Sequence, residues 1–458
     1  MGFKYHPLCS KLKLSHLMFA DDLLLFSKGD TASIMVLLRA FATFSRASGL
    51  QMSPSKTNAY FNGVPGGVKA DILQIAGFQE GCLPFKYLGI PITAGRMTRV
   101  QCQVLIEKLT ARITSFGTRH LSYSGRLVLI NSVLTSLYSY WMNIFIIPKG
   151  VLCRLNSICR NFLWDGTIDH IRVLPVSWEK ICSPKHEGGL GIRDSFVWNI
   201  VAIGKLVWWI YFNPDKLWVK WVSQIYLKGQ AWPDYQPSGD LSWGWKSVCS
   251  VRDKMRQGYV QGQWVLDSKG YTLKSGYELL RVKFQPVVWH KAIWNWWCVP
   301  KHRFICWMMV RNAMQVKSKL FQLGISPDDL CLLCGGTTET HVHLFEQCVY
   351  SRSILQGMAT LCQINILFVN ILQWVWNQKW DKARKGIVLC AFMACYYHIW
   401  MMRNRARVEL HLPRPVVALH QAKCSAKLRI NVLSSQLDLC TRSWLESIDL
   451  CKEGSVPI

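Results

Sequence analysis

The sequence predicts a mainly α protein with small β elements, an α+β fold built from several parts. Two observations predict this class: apolar residues recur at three- and four-residue spacing over long stretches, and only short stretches alternate as strands do. Half of the 458 residues are hydrophobic, which excludes a disordered chain. A chain of this length has room for roughly two to four domains with buried cores.

The charge balance is strongly basic. Lys and Arg total 54 against 27 Asp and Glu, a formal net charge of +27. An excess this large, spread along the whole chain, indicates a polyanionic partner; nucleic acid is the simplest choice and an acidic membrane surface is the alternative. The 18 cysteines are mostly single, and the start MGFKYHPLCSKLKL lacks an apolar leader. We therefore expect free thiols in a reducing intracellular compartment, nucleus or cytoplasm.

One uncharged stretch raises the question of a membrane span. Residues 127–147 are long enough to cross a bilayer, but apolar side chains occupy one helical face and Asn, Ser and Thr occupy another. We therefore predict an amphipathic core helix that Pro148 ends, and no membrane partner. The segment 386–402 is similar, shorter and followed by arginines.

The N-terminal elements are predicted to be a hairpin, a helix and a further strand. Residues 15–27 alternate as two strands joined by a tight turn at Asp21 and Asp22, within the apolar run FADDLLLF. Residues 31–47 have helical spacing, and residues 82–92 form a strand. Ionised carboxylates buried among apolar residues need a cation or a hydrogen-bond donor, so the paired acids point to a partner group.

Helices with basic faces predominate after residue 98. Residues 98–147 form a helical pair, 300–312 a basic aromatic helix, and the segment from 381 onward a basic tail. In the pair, Glu107 is the single acid near six bases, so phosphate contact and an ordinary solvated face are about equally favoured. The predicted nucleic-acid-binding residues are Arg96, Arg99, Lys108, Arg112, Arg119, Arg126, Lys301, Arg303, Arg403, Arg405 and Arg407.

Aromatic residues interleave with bases in the helix at 300–312 and just before it. Trp296, Trp297, His302 and Trp307 offer stacking surfaces, and Arg303 offers charge, the combination that binds single-stranded nucleic acid. The alternative is that the tryptophans are core residues, which we favour because Trp is highly buried on average.

The chemically most specific pattern is the stretch CLLCGGTTETHVHLFEQC. Cys331 and Cys334 form a turn that can face one metal, and a His and Cys348 would complete a closed, tetrahedral structural zinc site. The histidine is either His341 or His343. We favour His343 because its spacing to Cys348 is within the range seen in zinc fingers. This choice requires the helix that carries His343 to end or distort before Cys348. The alternative is buried, unligated thiols.

In order and spacing, these segments resemble the reverse transcriptases of plant non-LTR (LINE-type) retrotransposons. HLMFADDLLLFSKGD resembles their Phe/Tyr-Ala-Asp-Asp palm hairpin, ASGLQMSPSKTNAYF the segment that follows, and FKYLGIPI the primer-gripping strand. VSWEKICSPKHEGGLGIRD and KLVWWIYFNPDKLWVKWV resemble the connecting region. YTLKSGYELL, WNWWCVPKHRFICWMM and the Cys/His stretch resemble the zinc-binding module. The resemblance covers nearly the whole chain.

The resemblance implies an order of domains. Residues 1–60 would be the C-terminal remnant of a palm, and 61–150 a thumb-like helical region. Residues 151–263 would be a Trp-rich connector, 264–375 the reverse-transcriptase zinc-binding domain, and 376–458 a basic helical tail.

The resemblance also implies a catalytic remnant. Asp21 and Asp22 would hold Mg²⁺ if the palm were complete, and Lys56 would lie near the incoming nucleotide. The family's first metal-binding Asp lies upstream of the hairpin, and only 20 residues precede Asp21, so we expect an incomplete site. A separate upstream polymerase portion is then a partner, and no small-molecule substrate is evident beyond the dNTP of the intact enzyme. We also expect no ribonuclease H domain, because no acidic cluster follows.

These expectations combine into one hypothesis with an alternative. The chain is a fragment of an RNA-directed DNA polymerase that carries structural Zn²⁺, binds RNA or DNA and does not polymerise alone. The alternative is a domesticated or decayed zinc-containing nucleic-acid-binding protein with no enzymatic role.

Overall fold

A computed structural model gives the fold of the chain. It describes all residues except 1, 54–55, 117–120, 170–173, 261–262, 265–269, 410–411, 434, 436–437, 449 and 451–458. The chain divides into two compact units, each assembled from three stretches. Unit 1 comprises Met1–Leu105, Tyr138–Cys153 and Ser195–Arg281, and unit 2 comprises Ile106–Leu137, Arg154–Asp194 and Val282–Ile458.

The described residues are mainly helical with four two-stranded sheets, which confirms the predicted fold class. The strands are β1 His16–Phe19, β2 Asp22–Leu25, β3 Asn58–Ala59, β4 Gln79–Glu80, β5 Phe85–Tyr87, β6 Ile90–Ile92, β7 Tyr259–Val260 and β8 Gln263–Trp264. The helices are α1 Thr31–Ser48, α2 Gly66–Ala76, α3 Gln103–Ser115, α4 Tyr123–Leu129, α5 Thr135–Met142, α6 Lys149–Asp165, α7 Trp178–Cys182, α8 Ser195–Phe212, α9 Leu217–Val222, α10 Trp243–Lys254, α11 Leu273–Leu280, α12 His290–Ile293, α13 Pro300–Val310, α14 Lys317–Gln322, α15 Val349–Leu361, α16 Ile371–Asn377, α17 Lys382–Glu409, α18 Pro415–Leu433 and α19 Leu439–Ser447. π-helical turns occur at Ile130–Leu134, Ser223–Leu227 and His343–Gln347.

The N-terminal hairpin has the two predicted strands but a different turn. Phe19 pairs with Asp22, so the turn residues are Ala20 and Asp21, and Asp22 already belongs to β2. The predicted Asp21-Asp22 turn is therefore wrong by one residue. Within the described residues β1 and β2 pair only with each other, and Met18 and Phe19 are 56% and 62% exposed.

The predicted strand CLPFKYLGIPI is a second hairpin, so the single-strand prediction is wrong. Strands β5 and β6 pair antiparallel, with Tyr87 opposite Ile90. Leu88 and Gly89 between them have φ of 48° and 79°, the positive values of the turns that suit a right-twisted hairpin. Pro91 lies inside β6 and does not end it.

Tryptophan side chains form much of the core of unit 1, between α8, α10 and α11. The buried indoles of Trp245 and Trp264 donate to the hydroxyls of Tyr235 and Ser275 at 3.2 and 2.9 Å. A buried indole is stable when its N–H has such a partner. The high tryptophan content of this region therefore reflects packing.

The core of unit 2 is built around the long helix α17. Residues 387–395 of this helix are completely buried, and α18 packs against it. Ala418, Ala422 and Ala426 of α18 are also completely buried. Small side chains at four-residue spacing lie on one helical face and allow two helices to approach closely.

Helices α8 and α17 are long and apolar enough to cross a membrane. The most apolar window of α8 is 50% buried inside the protein and that of α17 is 72% buried. Such burial is expected of core helices, as predicted for residues 386–402. Residues 127–142 lie in α4, a π-helical turn and α5, and the helix ends at Met142, so the prediction of one helix that Pro148 ends is wrong.

Candidate metal centre and basic residues

The four predicted zinc ligands lie together in unit 2. The ligand atoms of Cys331, Cys334, His343 and Cys348 are all within 4.8 Å of one another. The Sγ atoms of Cys331 and Cys348 are 4.0 Å apart, and Cys334 Sγ lies 3.3 Å from His343 Nε2. These separations are close to the roughly 3.5–3.8 Å between ligands around one tetrahedral zinc ion.

A tight turn places the first two cysteines. Leu330 and Thr338 form an isolated β-bridge, and the N–H of Cys331 donates to the carbonyl of Thr337 at 2.7 Å. Gly335 has φ of 68° and donates its N–H to the carbonyl of Cys331 at 2.8 Å, which closes the turn. Glycine adopts this positive φ without strain, so its place directly after the second cysteine has a physical reason.

The π-helical turn His343–Gln347 places the other two ligands. On a regular α-helix, side chains five residues apart would point about 140° away from each other. Here the N–H of Cys348 donates to the carbonyl of His343 at 2.7 Å, the five-residue bond of a π turn. Cys348 then leaves the helical conformation, with ψ of 128°, and becomes the N-cap of α15. The distortion that the choice of His343 required is therefore present.

His341 lies outside the cluster. Its Nε2 is buried and has no hydrogen-bond partner among the described residues. Burial, together with the charge of Lys319, lowers the pKa of His341 to about 4, so the ring is neutral at pH 7. The structure thus brings His343, and not His341, to the three cysteines, while ligation itself remains a prediction.

The chemistry of the cluster fits Zn²⁺. A hydrogen bond from the Cys331 thiol, with further support from the backbone N–H groups of Ser351 and Tyr350, lowers the pKa of Cys348. Backbone N–H groups in the first turn of a helix stabilise negative charge, and zinc binds cysteine as the thiolate. Three thiols and one imidazole form a common closed set for a structural zinc ion.

Glu339 belongs to this site although sequence reasoning missed it. Its fully buried carboxylate accepts the N–H of Lys317 at 2.7 Å, the Nε–H of Arg403 at 2.9 Å and the N–H of Leu332 at 3.3 Å. Leu332 lies between the first two cysteines of the cluster. The overlooked signal was a single acid between the Cys-x-x-Cys turn and the histidines.

The paired acids of the hairpin do not form a metal centre in the described structure. Asp21, Asp22 and Lys56 are exposed. Within the described ranges, the Cys₃His cluster is the only group of three or more side chains placed to hold a metal. The expectation that the two acids are buried is wrong, because no other described strand pairs with β1 or β2 and water reaches both carboxylates.

Most of the predicted nucleic-acid-binding residues are accessible. Arg119 lies outside the described residues. Arg405 forms an ion pair with Glu409 at 3.0 Å within α17, and the Lys301 ammonium lies 5.0 Å from the centre of the Tyr397 ring. The exposed set is Arg96, Arg99, Lys108, Arg112, Lys301, Arg405 and Arg407.

Arg403 is a correction to that set. Its side chain is 1% exposed and its guanidinium pairs with Glu339 at 2.8 Å. A phosphate cannot reach a guanidinium buried in this way, so the prediction that Arg403 contacts nucleic acid is wrong.

Arg126 and Arg303 are partly buried within unit 2. Arg126 donates to the carbonyl of Trp164 at 3.2 Å, near the C-terminus of α6, where cations stabilise exposed carbonyls. Arg303 donates to the carbonyl of Asn295 at 3.4 Å. Burial lowers the pKa of both guanidinium groups.

The aromatic residues near α13 are mostly core. Trp297, His302 and Trp307 are buried, which confirms the core interpretation for these residues. Trp296 is 48% exposed and remains available for stacking.

Two segments of the chain match family models. Residues 4–92 match the family described as "reverse transcriptase (RNA-dependent DNA polymerase)". Residues 271–354, which contain the four clustered ligands, match the family described as "zinc-binding in reverse transcriptase". The class is therefore a reverse-transcriptase-related protein with a partial reverse transcriptase domain and a zinc-binding module, as the sequence resemblance implied.

Two plant proteins are similar to parts of the chain. An Arabidopsis thaliana protein described as "putative ribonuclease H protein" is 30% identical over 172 residues, 37% of this chain and 28% of that protein. An uncharacterized mitochondrial protein of Arabidopsis thaliana is 24% identical over 123 residues, 27% of this chain and 80% of that protein. The chain thus spans 28% of the length of the first relative.

Proposed function

We propose that this chain is a nucleic-acid-binding part of a LINE-type retroelement polymerase, with a zinc module that folds around one structural Zn²⁺. The cluster of Cys331, Cys334, His343 and Cys348, inside the segment similar to reverse-transcriptase zinc modules, carries the proposal. These four ligands leave no open position for a substrate, so the metal would stabilise the fold and take no part in a reaction. Zinc binding would then supply much of the local folding free energy.

The partner in this proposal is RNA or single-stranded DNA, bound with little sequence preference. The net charge of +27 and the exposed set of Lys and Arg support it. Phosphate contacts release counterions, so affinity would fall steeply as salt rises. The palm, thumb, connector, zinc and tail assignments given above, with their boundaries, are part of the same proposal.

Polymerisation would need groups that the described residues do not bring together. Two-metal phosphoryl transfer requires several carboxylates around the ions. Asp21 and Asp22 are exposed to solvent, and among the described residues no further acid is clustered beside them. We propose that a further polymerase portion supplies the remaining ligands. It would also cover Met18 and Phe19.

Metal analysis of the purified chain tests the zinc site. We expect one zinc per chain in the wild type and in His341→Ala, and none in Cys331→Ser or His343→Ala. Cys153→Ser, which changes an exposed cysteine outside the cluster, is the matched control and should keep the metal. If His341→Ala alone loses zinc, the ligand assignment is wrong. If wild type carries no zinc and a chelator leaves its melting unchanged, there is no zinc site.

A second candidate function is nucleic-acid binding without any enzymatic role. The exposure of Asp21 and Asp22 favours it, because two solvated acids at an open turn perform no chemistry alone. Adding a palm portion in trans separates the two functions. Primer extension restored by that portion supports the polymerase; intact RNA binding with no extension supports the second function.

A further inference from the structure

We infer that Glu339 is a positioning residue for the turn that carries Cys331 and Cys334, the cysteine turn, and that its ion pair with Arg403 couples metal binding to helix α17. The inference rests on the proposed zinc site. It adds to that site a means by which zinc occupancy acts on the basic end of the long helix.

The carboxylate of Glu339 connects three segments. It accepts the N–H of Lys317 at the start of α14, the N–H of Leu332 inside the cysteine turn, and the guanidinium of Arg403 in α17. The backbone of Glu339 adds a bond from its own N–H to the carbonyl of Asp329 at 2.7 Å. One side chain thus holds the backbone between two metal ligands and ties it to a distant helix.

Because the ion pair between Glu339 and Arg403 is buried, either both side chains are in place or the pair is lost. Both side chains of the pair are essentially inaccessible, at 0% and 1% exposure. A buried charge without its partner is strongly destabilising, so neither side chain can keep its place unless the cysteine turn and α17 are docked together. Zinc fixes the turn, and the turn presents Glu339 to Arg403. Metal binding and docking of α17 therefore favour each other, and the coupling acts in both directions.

The ion pair lies beside exposed bases of α17. The Arg403 guanidinium also donates to Asn404 Oδ1 at 3.1 Å and lies 5.0 Å from the Trp400 ring. Arg405 and Arg407, two and four residues further along the helix, are exposed. Because Arg403 anchors this end of the helix, loss of zinc should loosen the positions of Arg405 and Arg407 and weaken nucleic-acid binding.

Chelator competition on the full chain measures the first consequence. Outer-shell partners typically change metal affinity about 10- to 100-fold, and we expect a loss of that size in Glu339→Gln. The matched control is Asp169→Asn, which breaks an exposed ion pair with Arg154 in the same unit and should leave zinc affinity unchanged. The double variant Glu339→Gln/Arg403→Met removes both buried charges, so its melting temperature should exceed that of Glu339→Gln. Its zinc affinity should stay reduced, because the support of the turn is still missing.

Hydrogen exchange measures the effect in the other direction, that of zinc binding on helix α17. Removing zinc from wild type should raise exchange in the part of α17 around Arg403, and RNA affinity should fall with it. Wild-type zinc affinity in Glu339→Gln, or its full recovery together with stability in the double variant, overturns the inference and leaves the proposed zinc site intact. A wild type that binds no zinc overturns both.

Discussion

His302 is held neutral inside unit 2. It is completely buried, and neither ring nitrogen has a hydrogen-bond partner among the described residues. Its ring lies 4.5 Å from that of Tyr397. Burial, followed by the charges of His398 and Lys301, lowers the pKa of His302 to about 3.

This shift predicts a loss of stability in acid. The folded pKa lies below the ordinary 6.5, so the unfolded chain binds a proton that the folded chain excludes. The stabilisation is complete above pH 6.5 and is lost as the pH falls towards 3. Replacing His302 with Leu should flatten the pH dependence of the unfolding free energy by up to about 1.4 kcal/mol per pH unit.

Urea denaturation at several pH values between 7.5 and 4.5 measures the slope. His420→Leu, at an exposed position of α18, is the control and should keep the wild-type slope. Parallel curves for wild type and His302→Leu would contradict the argument.

At this scale the sequence predicts ligands better than their supports. Cysteine spacing predicts two members of the metal cluster, Cys331 and Cys334, because a turn brings residues three apart to one side, and a His and a Cys further on complete the ligand set. Arg403 stands in the run RNRAR, which is typical of an exposed basic helix. Its true partner, Glu339, is 64 positions away, and no local pattern records that distance.

Among the elements, helix α1 and the N-terminal hairpin are predictable from the sequence, whereas the hairpin of β5 and β6 is not. The spacing of apolar residues predicts a helix over 31–47, and α1 is Thr31–Ser48 with Asp30 as its N-cap. Helical spacing over five turns leaves a clear pattern. Strands β5 and β6 have three residues each, too few to distinguish a hairpin from one strand by alternation.

The packing of α18 against α17 predicts intolerance to larger side chains. Ala422 is completely buried, so Ala422→Leu should lower the unfolding free energy by about 1–3 kcal/mol. Leu428→Ala, on the same helix at a residue 70% exposed, should change it by less than about 0.5 kcal/mol. Urea midpoints of the two variants make the comparison. Equal destabilisation would contradict the close packing of these helices.

Helix α3 supplies a direct test of the nucleic-acid proposal. Lys108 and Arg112 are exposed on it, and Lys108→Gln/Arg112→Gln should weaken RNA binding. Loss of two phosphate contacts should reduce the slope of log affinity against log salt by about 1.4 for a single strand. Lys246→Gln/Lys254→Gln removes the same charge from α10 as a control. Equal effects from both pairs would mean that net charge matters and α3 does not.

For the whole molecule, we predict no RNA-templated DNA synthesis by this chain alone. Among the described residues Asp21 and Asp22 belong to no group of three or more metal-binding side chains. A two-metal site without its full ligand set stabilises the transition state less, and each 1.4 kcal/mol or so is tenfold in rate. Primer extension on an RNA template with Mg²⁺ or Mn²⁺ checks this. Extension by wild type that disappears in Asp21→Ala would refute it.

Sequence order says least about the organisation of the whole. Each compact unit combines three stretches. The chain passes from one unit to the other within α3, α5 and α6, and again directly before α8 and directly after α11. A helix that continues from one unit into the next has no linker composition to mark the change. Composition and motif order therefore predict the individual segments of this protein better than they predict which segments fold together into one unit.

The uncovered hairpin has a consequence for the fate of the protein in a cell. Among the described strands none pairs with the outer edges of β1 and β2, which lie beside the exposed side chains of Met18 and Phe19. Open edges with apolar side chains invite pairing with other chains, and folded proteins normally cover or charge them. Chaperones and proteases survey such surfaces. When this protein is made without the further polymerase portion that would cover the hairpin, it should therefore have a short half-life. Its abundance in the cell would then report on whether that portion is present.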